Sequence, residues 1–120
     1  MKINAPHKVR IGPRNFKIVY KDSLLSKDKE ELSGGCHQAS DLIEISLTQN
    51  RDKDMLFSTI FHEFLHGVWY VSGQTSRFVE DQEEDLTVLM ESYLESMIDW
   101  SNPIWTNWKD VNLNYKKDDS

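Results

Sequence analysis

Cysteine is almost missing from this chain. Cys36 stands alone among 120 residues, so no disulfide can close within it and nothing calls for an oxidising compartment. Long apolar runs are missing as well, and with nothing close to the roughly 20 residues that span a bilayer, no membrane segment is expected. The third absence is a basic cluster. Lys and Arg total 14 against 20 Asp and Glu, a formal net charge of −6, and the cations are scattered rather than gathered along a groove that could neutralise phosphates. Nucleic acid is therefore not an expected partner. No charged-then-apolar leader opens the chain, which makes a cytoplasmic protein the expectation, in the host cytoplasm if it is phage-encoded. No linker interrupts the sequence. Residues 1–115 read as a single domain, expected to be a monomer, with 116–120 as a disordered tail.

What is present is concentrated in one stretch, Thr59-Ile60-Phe61-His62-Glu63-Phe64-Leu65-His66-Gly67. On a helix His62 and His66 lie four residues apart on one face, so both imidazoles can reach one metal ion, and Glu63 leans toward its open side. That is the pattern for polarising a bound water, with zinc as Lewis acid and Glu63 as general base. The plainer reading makes them two core histidines, but two buried polar rings without a shared partner are hard to accommodate. Met55, Leu56, Ile60, Phe61, Phe64, Leu65, Val68 and Trp69 make the surrounding helix apolar almost all round, so it should sit inside the domain. Asn50 or Asp52 can cap its start and Gly73 can close its end. Gly67, beside the second histidine, leaves room for another backbone or a substrate.

Elsewhere the alternation of Phe16, Ile18 and Tyr20 predicts a strand with one covered face, while Pro6, Gly12 and Pro13 limit any strand through Val9 to Ile11 to a short one. Ser26 to Leu32 is too short and polar for more than a helical turn or loop. Cys36-His37-Gln38 and Leu42 to Leu47 read as two strands joined tightly, with Ile43, Ile45 and Leu47 facing one way. His37 is read as an exposed polar residue before a transition-state donor, and Cys36 as a packing residue. A second helix starts with the capping-box form of Asp81 and Glu84 and carries Leu86, Leu89, Met90, Tyr93, Leu94, Met97 and Ile98 at helical spacing until Asn102-Pro103. Ile104, Trp105, Trp108, Val111, Leu113 and Tyr115 are too apolar for a free tail and should fold back over the core.

A catalytic zinc site usually has three protein ligands and water. No histidine follows His66, and position 72 is Ser72, which excludes the metzincin spacing. His7 and His37 lie upstream, but the acidic start of the second helix is better placed, because antiparallel helices joined by a short loop bring facing sides together. Glu83 falls three before Leu86 and seven before Met90, on the face carrying the apolar stripe. It is assigned to the metal, with Glu84 at the cap as the alternative third ligand.

His62-Glu63-Phe64-Leu65-His66, with Glu83-Glu84-Asp85-Leu86 about twenty residues on and a closing Asn102-Pro103, resembles the small phage-borne and bacterial zincin-type metallopeptidases with a glutamate third ligand. The layout is similar to SprT-like and ImmA/IrrE-like minimal domains over residues 33–104. The resemblance implies an α+β fold, a small antiparallel sheet of about three strands packed on the motif helix and on a second, Glu-bearing helix. It also implies zinc held by His62, His66 and Glu83, a peptide or protein substrate, and Glu63 as base on a peptide bond. Two rival expectations stand beside it, a zinc-stabilised binding domain without catalysis and a metal-free acidic adaptor of phage type.

Overall fold

The computed structural model describes residues 1–73 and 80–115, and of Glu80 and Asp81 only the backbone. The connector 74–79, the cap expected from Asp81 and the tail 116–120 lie outside the described residues. The fold is α+β. Strands β1 (Lys2–Ile11), β2 (Arg14–Lys21), β3 (Gly34–His37), β4 (Leu42–Ser46) and β5 (Trp105–Asn112) form one sheet, and helices α1 (Lys53–Val71) and α2 (Glu80–Leu94) are inserted between β4 and β5. No helix among the described residues is long and apolar enough to cross a membrane.

The expected three-strand antiparallel sheet is instead five-stranded and mixed, in the order β3-β4-β2-β1-β5. Two things enlarge it. The carboxyl-terminal aromatic segment, expected to fold back, does so as a strand, pairing antiparallel with β1 from Lys2 opposite Asn112 to Val9 opposite Trp105. β1 is consequently ten residues long rather than short. Pro6 is tolerated in it because β2 pairs only with Lys8 to Ile11, so beside Pro6 the strand has one partner, β5. The sheet is mixed because the chain leaves β2, passes beyond the place of β4 to form edge strand β3, and returns as β4 parallel to β2, with Lys17 opposite Leu42 and Lys21 opposite Ser46. Residues 22–33 make that passage as a loop that carries an isolated bridge between Leu25 and Glu31 and a backbone hydrogen bond from Leu32 N–H to the Leu24 carbonyl at 2.9 Å. After β3, a 3-10 turn over Gln38–Ser40 and Asp41 in left-handed backbone (φ 51°) reverse the chain into β4.

Alternation sets the covered face. Phe16, Ile18, Ile43 and Ile45 are fully buried beside Val9 and Ile11 of β1, and α1 lies against them through Leu56 and Ile60. Each such side chain contributes about 1.5–3 kcal/mol when taken from water. Asp52 caps α1 as expected, its carboxylate accepting from the Met55 N–H at 2.9 Å, and Gly73 (φ 79°) follows the helix end. Asn50 has another task. It is fully buried, donates to the Ser46 carbonyl at 2.6 Å and accepts from the Thr59 hydroxyl at 2.7 Å, tying α1 to the end of β4. Gly67 faces the sheet, where an added Cβ would stand 2.7 Å from Ile11 Cδ1. The close approach there is a side chain of the core rather than a substrate.

α2 departs from its expected orientation. The stripe read as its inner face is only partly covered, with Leu89, Tyr93 and Met97 at 51%, 73% and 75% exposure and Leu86, Met90, Leu94 and Ile98 half-buried. The deepest side chains are Glu83 and Thr87. The physical reason is the partner: the side of α1 left uncovered by the sheet carries His62, His66 and the indole N–H of Trp69, so α2 turns its polar face inward to meet them. Trp69 donates to Thr87 Oγ1 at 3.0 Å, and Thr87 Oγ1 donates to the Glu83 carbonyl at 2.7 Å. The α-helix also ends earlier than expected, at Leu94, continues as a 3-10 turn over Glu95–Met97, and becomes extended at Ile98.

Candidate metal centre

His62 and His66 stand one turn apart on α1 and their ring centroids are 5.1 Å apart, so the two imidazoles share one side of the helix. Their Nε2 atoms turn toward one carboxylate. Glu84 Oε1 lies 3.1 Å from His62 Nε2, and Glu84 Oε2 lies 2.9 Å from His66 Nε2. The Nδ1 atoms face two further carboxylates, Glu91 Oε2 at 2.7 Å from His62 and Glu83 Oε1 at 2.7 Å from His66. Glu83, the expected third ligand, is therefore brought to the outer nitrogen of His66, and Glu84, the alternative, is brought to the focus of both rings. Three residues form a group able to hold a metal: one donor atom from each of His62, His66 and Glu84, all within 4.8 Å of one another.

The proton count makes this arrangement informative. A neutral imidazole has one N–H and one lone pair. Donation from Nδ1 to Glu91 and to Glu83 leaves each Nε2 with its lone pair aimed at a carboxylate oxygen, which is repulsive unless a proton or a cation lies between. For His62, burial favours the neutral ring but is outweighed by the hydrogen bond to Glu91 and the charges of Glu63, Glu84 and Glu91, so its pKa is raised. The cluster attracts positive charge. Donors placed tetrahedrally around zinc stand roughly 3.4 Å apart, and here the two nitrogen–oxygen separations are 3.1 and 2.9 Å within a three-donor group no wider than 4.8 Å.

Glu63 projects to the other side of His62, toward the start of β3. It is buried, and that burial raises its carboxyl pKa, aided by Glu84 and Glu91 and opposed by both histidines. A cavity of about 250 Å³ opens here, lined by Ser33, Gly34, Thr59, His62, Glu63 and Glu91. Gly34 matters for the shape of this cavity. A Cβ there would lie 2.9 Å from Thr59 Cγ2 and 3.2 Å from Glu63 Cγ, so the missing side chain lets edge strand β3 run close along α1.

An oxyanion donor could come from Tyr20, Tyr70 or His37, whose side chains carry O–H or N–H groups; Tyr20 donates to the Pro6 carbonyl at 2.6 Å, and Tyr70 has the Arg14 guanidinium 5.3 Å from its ring centroid. His37 is exposed and paired through Nε2 with Glu44, in keeping with its reading as an exposed polar residue. Cys36 packs against the core with its thiol pushed up to about 12 by burial, then by the charges of Glu63 and Glu83, so it stays a thiol at neutral pH.

Two contributors escape a reading of the sequence. Glu91 orients His62 while accepting from Ser58 Oγ at 2.7 Å. Its spacing of seven from Glu84 and eight from Glu83 was the available signal, since residues so spaced share a helix face. Gln38 donates to the His66 carbonyl at 3.0 Å and reaches Glu83 Oε1 at 3.4 Å, and no local pattern marks it. Comparison with protein-family models, with curated proteins and with solved structures gives no match, so the site is read from its own geometry.

Proposed function

We propose that this domain is a zinc-dependent peptidase of zincin-like layout. One observation carries the reading: two imidazole Nε2 lone pairs and the Glu84 carboxylate converge while both Nδ1 atoms are held by carboxylates, beside a buried glutamate in a cavity. The donor set suits zinc, which accepts imidazole nitrogen and carboxylate oxygen and keeps a net positive charge against two neutral rings and one anion. His62, His66 and Glu84 would hold the ion, and Glu83 and Glu91 would fix the two rings. When bound, zinc supplies a Lewis acid that brings the pKa of water toward about 7 and polarises a carbonyl.

The chain supplies the rest. The Glu63 carboxylate takes the proton from the attacking water and returns it to the leaving amine, and a raised pKa brings it nearer the working pH. Strand β3 is an edge of the sheet beside this cavity, and its backbone can pair with an extended peptide and hold it along α1. Burial of Glu63 keeps bulk water away from the proton transfer.

The test is a peptide-library digestion with and without chelator, run on the wild-type protein and on Glu63→Gln, with metal content measured on protein made without a His tag. Glu63→Gln is expected to retain zinc and lose activity by about 10²–10⁴-fold. Chelator-insensitive cleavage, or a fully active Glu63→Gln, would refute the assignment. Zinc bound in stoichiometric amount with no peptide cleaved would leave a zinc-stabilised binding domain in its place.

A further inference from the structure

The outer side of α2 is apolar, anionic and uncovered. Val88, Leu89, Tyr93 and Met97 are exposed there, and Leu86 and Met90 are half-buried beside them. Leu86, Leu89, Met90, Tyr93 and Met97 follow one another at three- and four-residue steps, so they form one stripe along the helix and the 3-10 turn that closes it. Single exposed apolar residues are ordinary on a protein surface, whereas a row of them marks a place where something docks. The helix cannot turn this row inward. Its opposite side is bonded to α1, with Glu83 on His66 at 2.7 Å, Thr87 on the Trp69 indole at 3.0 Å and Glu91 on the Ser58 hydroxyl at 2.7 Å.

Charge says what kind of partner fits. From residue 78 to 108 the sequence contains no Lys or Arg. Glu83, Glu84 and Glu91 are engaged by the histidines, but Asp85, Glu95 and Asp99 lie outside that cluster and accompany the stripe. Asp85 stands one turn before Leu89, and Glu95 and Asp99 stand on either side of Met97 in the chain. We infer that this face docks a basic amphipathic helix of another protein, laid along α2 with its apolar side on Leu89, Tyr93 and Met97 and its Lys or Arg residues beside Asp85, Glu95 and Asp99. A helix is the fitting element because the backbone of α2 is bonded within itself and offers no unpaired edge for a strand, so a partner must hold on through side chains at helical spacing. An anionic lipid surface would be repelled by the acidic rim, and a second copy meeting this face with its own would set like charges against each other. The stripe runs for roughly 17 Å, so a partner helix of about three turns covers it. This docking face does not depend on the peptidase reading.

The probe is a capped peptide of about 18 residues made of Leu, Lys and Gln, with the leucines on one helical face. Its controls are an isomer with the leucines spread around the helix and an analogue with Glu in place of Lys. By fluorescence anisotropy the full chain is expected to bind the basic amphipathic peptide about tenfold more tightly than either control. Leu89→Ser combined with Tyr93→Ser is expected to weaken that binding about tenfold, and Asp85→Asn combined with Glu95→Gln about threefold. A measurement on the unaltered chain guards against a variant that misfolds: the peptide is expected to slow peroxide oxidation of the exposed Met97 about threefold or more. Equal binding of the isomer or of the Glu analogue, or no protection of Met97, would overturn the assignment. Self-association in sedimentation that the Leu89 and Tyr93 substitutions abolish would give the face to a second copy, and vesicle binding that they abolish would give it to a membrane; either result would overturn it as well.

Discussion

Glutamine at position 84 is the most direct probe of the metal centre. Glu84 directs both oxygens at the two Nε2 atoms, at 3.1 and 2.9 Å, whereas Glu83 holds only the Nδ1 of His66. The Glu84 side chain is 53% exposed, so Glu84→Gln should cost the metal-free fold less than about 0.5 kcal/mol. Its effect on zinc should be far larger. Loss of an outer partner weakens metal binding about 10–100-fold, and loss of a ligand should cost at least the upper figure, about 2.7 kcal/mol. At a zinc concentration 100 times the wild-type Kd, zinc stabilises the wild type by about 2.7 kcal/mol, and a hundredfold weaker variant by only about 0.4 kcal/mol. For a domain of this size that is a rise in Tm of about 10 °C against less than about 2 °C. Glu83→Gln removes a charged partner of a ring but no ligand, and a tenfold loss would leave about 1.4 kcal/mol, or about 6 °C. Thermal melts in a zinc series, each against a chelated control, read these shifts. A Glu83→Gln variant that loses the shift while Glu84→Gln keeps it would return the ligand to position 83. Full shifts in both would remove the glutamates from the centre.

The remaining predictions concern the frame around it. Leu56→Ala should destabilise the domain by about 2–5 kcal/mol in urea denaturation, because Leu56 is fully buried between α1 and the sheet; a cost under 1 kcal/mol would contradict that packing. Gly67→Ala gains about 1 kcal/mol of helix propensity but places a Cβ 2.7 Å from Ile11 Cδ1, an overpacking cost of about 1–3 kcal/mol, so a net loss is expected and a higher Tm would count against the contact. The Glu44 carboxyl pKa is lowered by the Lys21 ammonium against the opposing effect of burial, and by His37, so its contribution is fully present above the ordinary carboxyl value of 4.5 and fades as pH falls through the lower folded value. Glu44→Gln should thus cost about 1 kcal/mol at pH 7, Lys21 and His37 both being half exposed, and the gap from wild type should narrow as pH falls below 4.5 in urea titrations. A gap that does not change with pH would exclude the ion pairs as its source.

Residues within one element fixed much of this protein before any tertiary contact. The four-residue spacing of His62 and His66 puts both rings on one side of α1 whatever surrounds it, Asp52 and Gly73 bound that helix by bonding its own backbone, and the alternation of Phe16 with Ile18 and of Ile43 with Ile45 declares strands with a covered face. Those patterns say which side chains share a face but not what the face meets. Glu83 and Glu84 are adjacent, about 100° apart around α2, so a modest rotation of that helix exchanges which carboxylate reaches the Nε2 atoms and which the Nδ1. Apolar periodicity in α2 suggested one rotation, and the polar side of α1 with Trp69 bonded to Thr87 imposed another, leaving Leu89, Tyr93 and Met97 in solvent. The sheet tells the same story, since the pairing of β5 with β1 joins residues about a hundred positions apart and the parallel register of β2 with β4 depends on the route between them. Local sequence governs contacts that a helix turn or strand pleat makes with itself. The choice of Glu84 over Glu83, the use of Glu91 and the order of the strands are set by how separate elements pack, which only the folded chain decides.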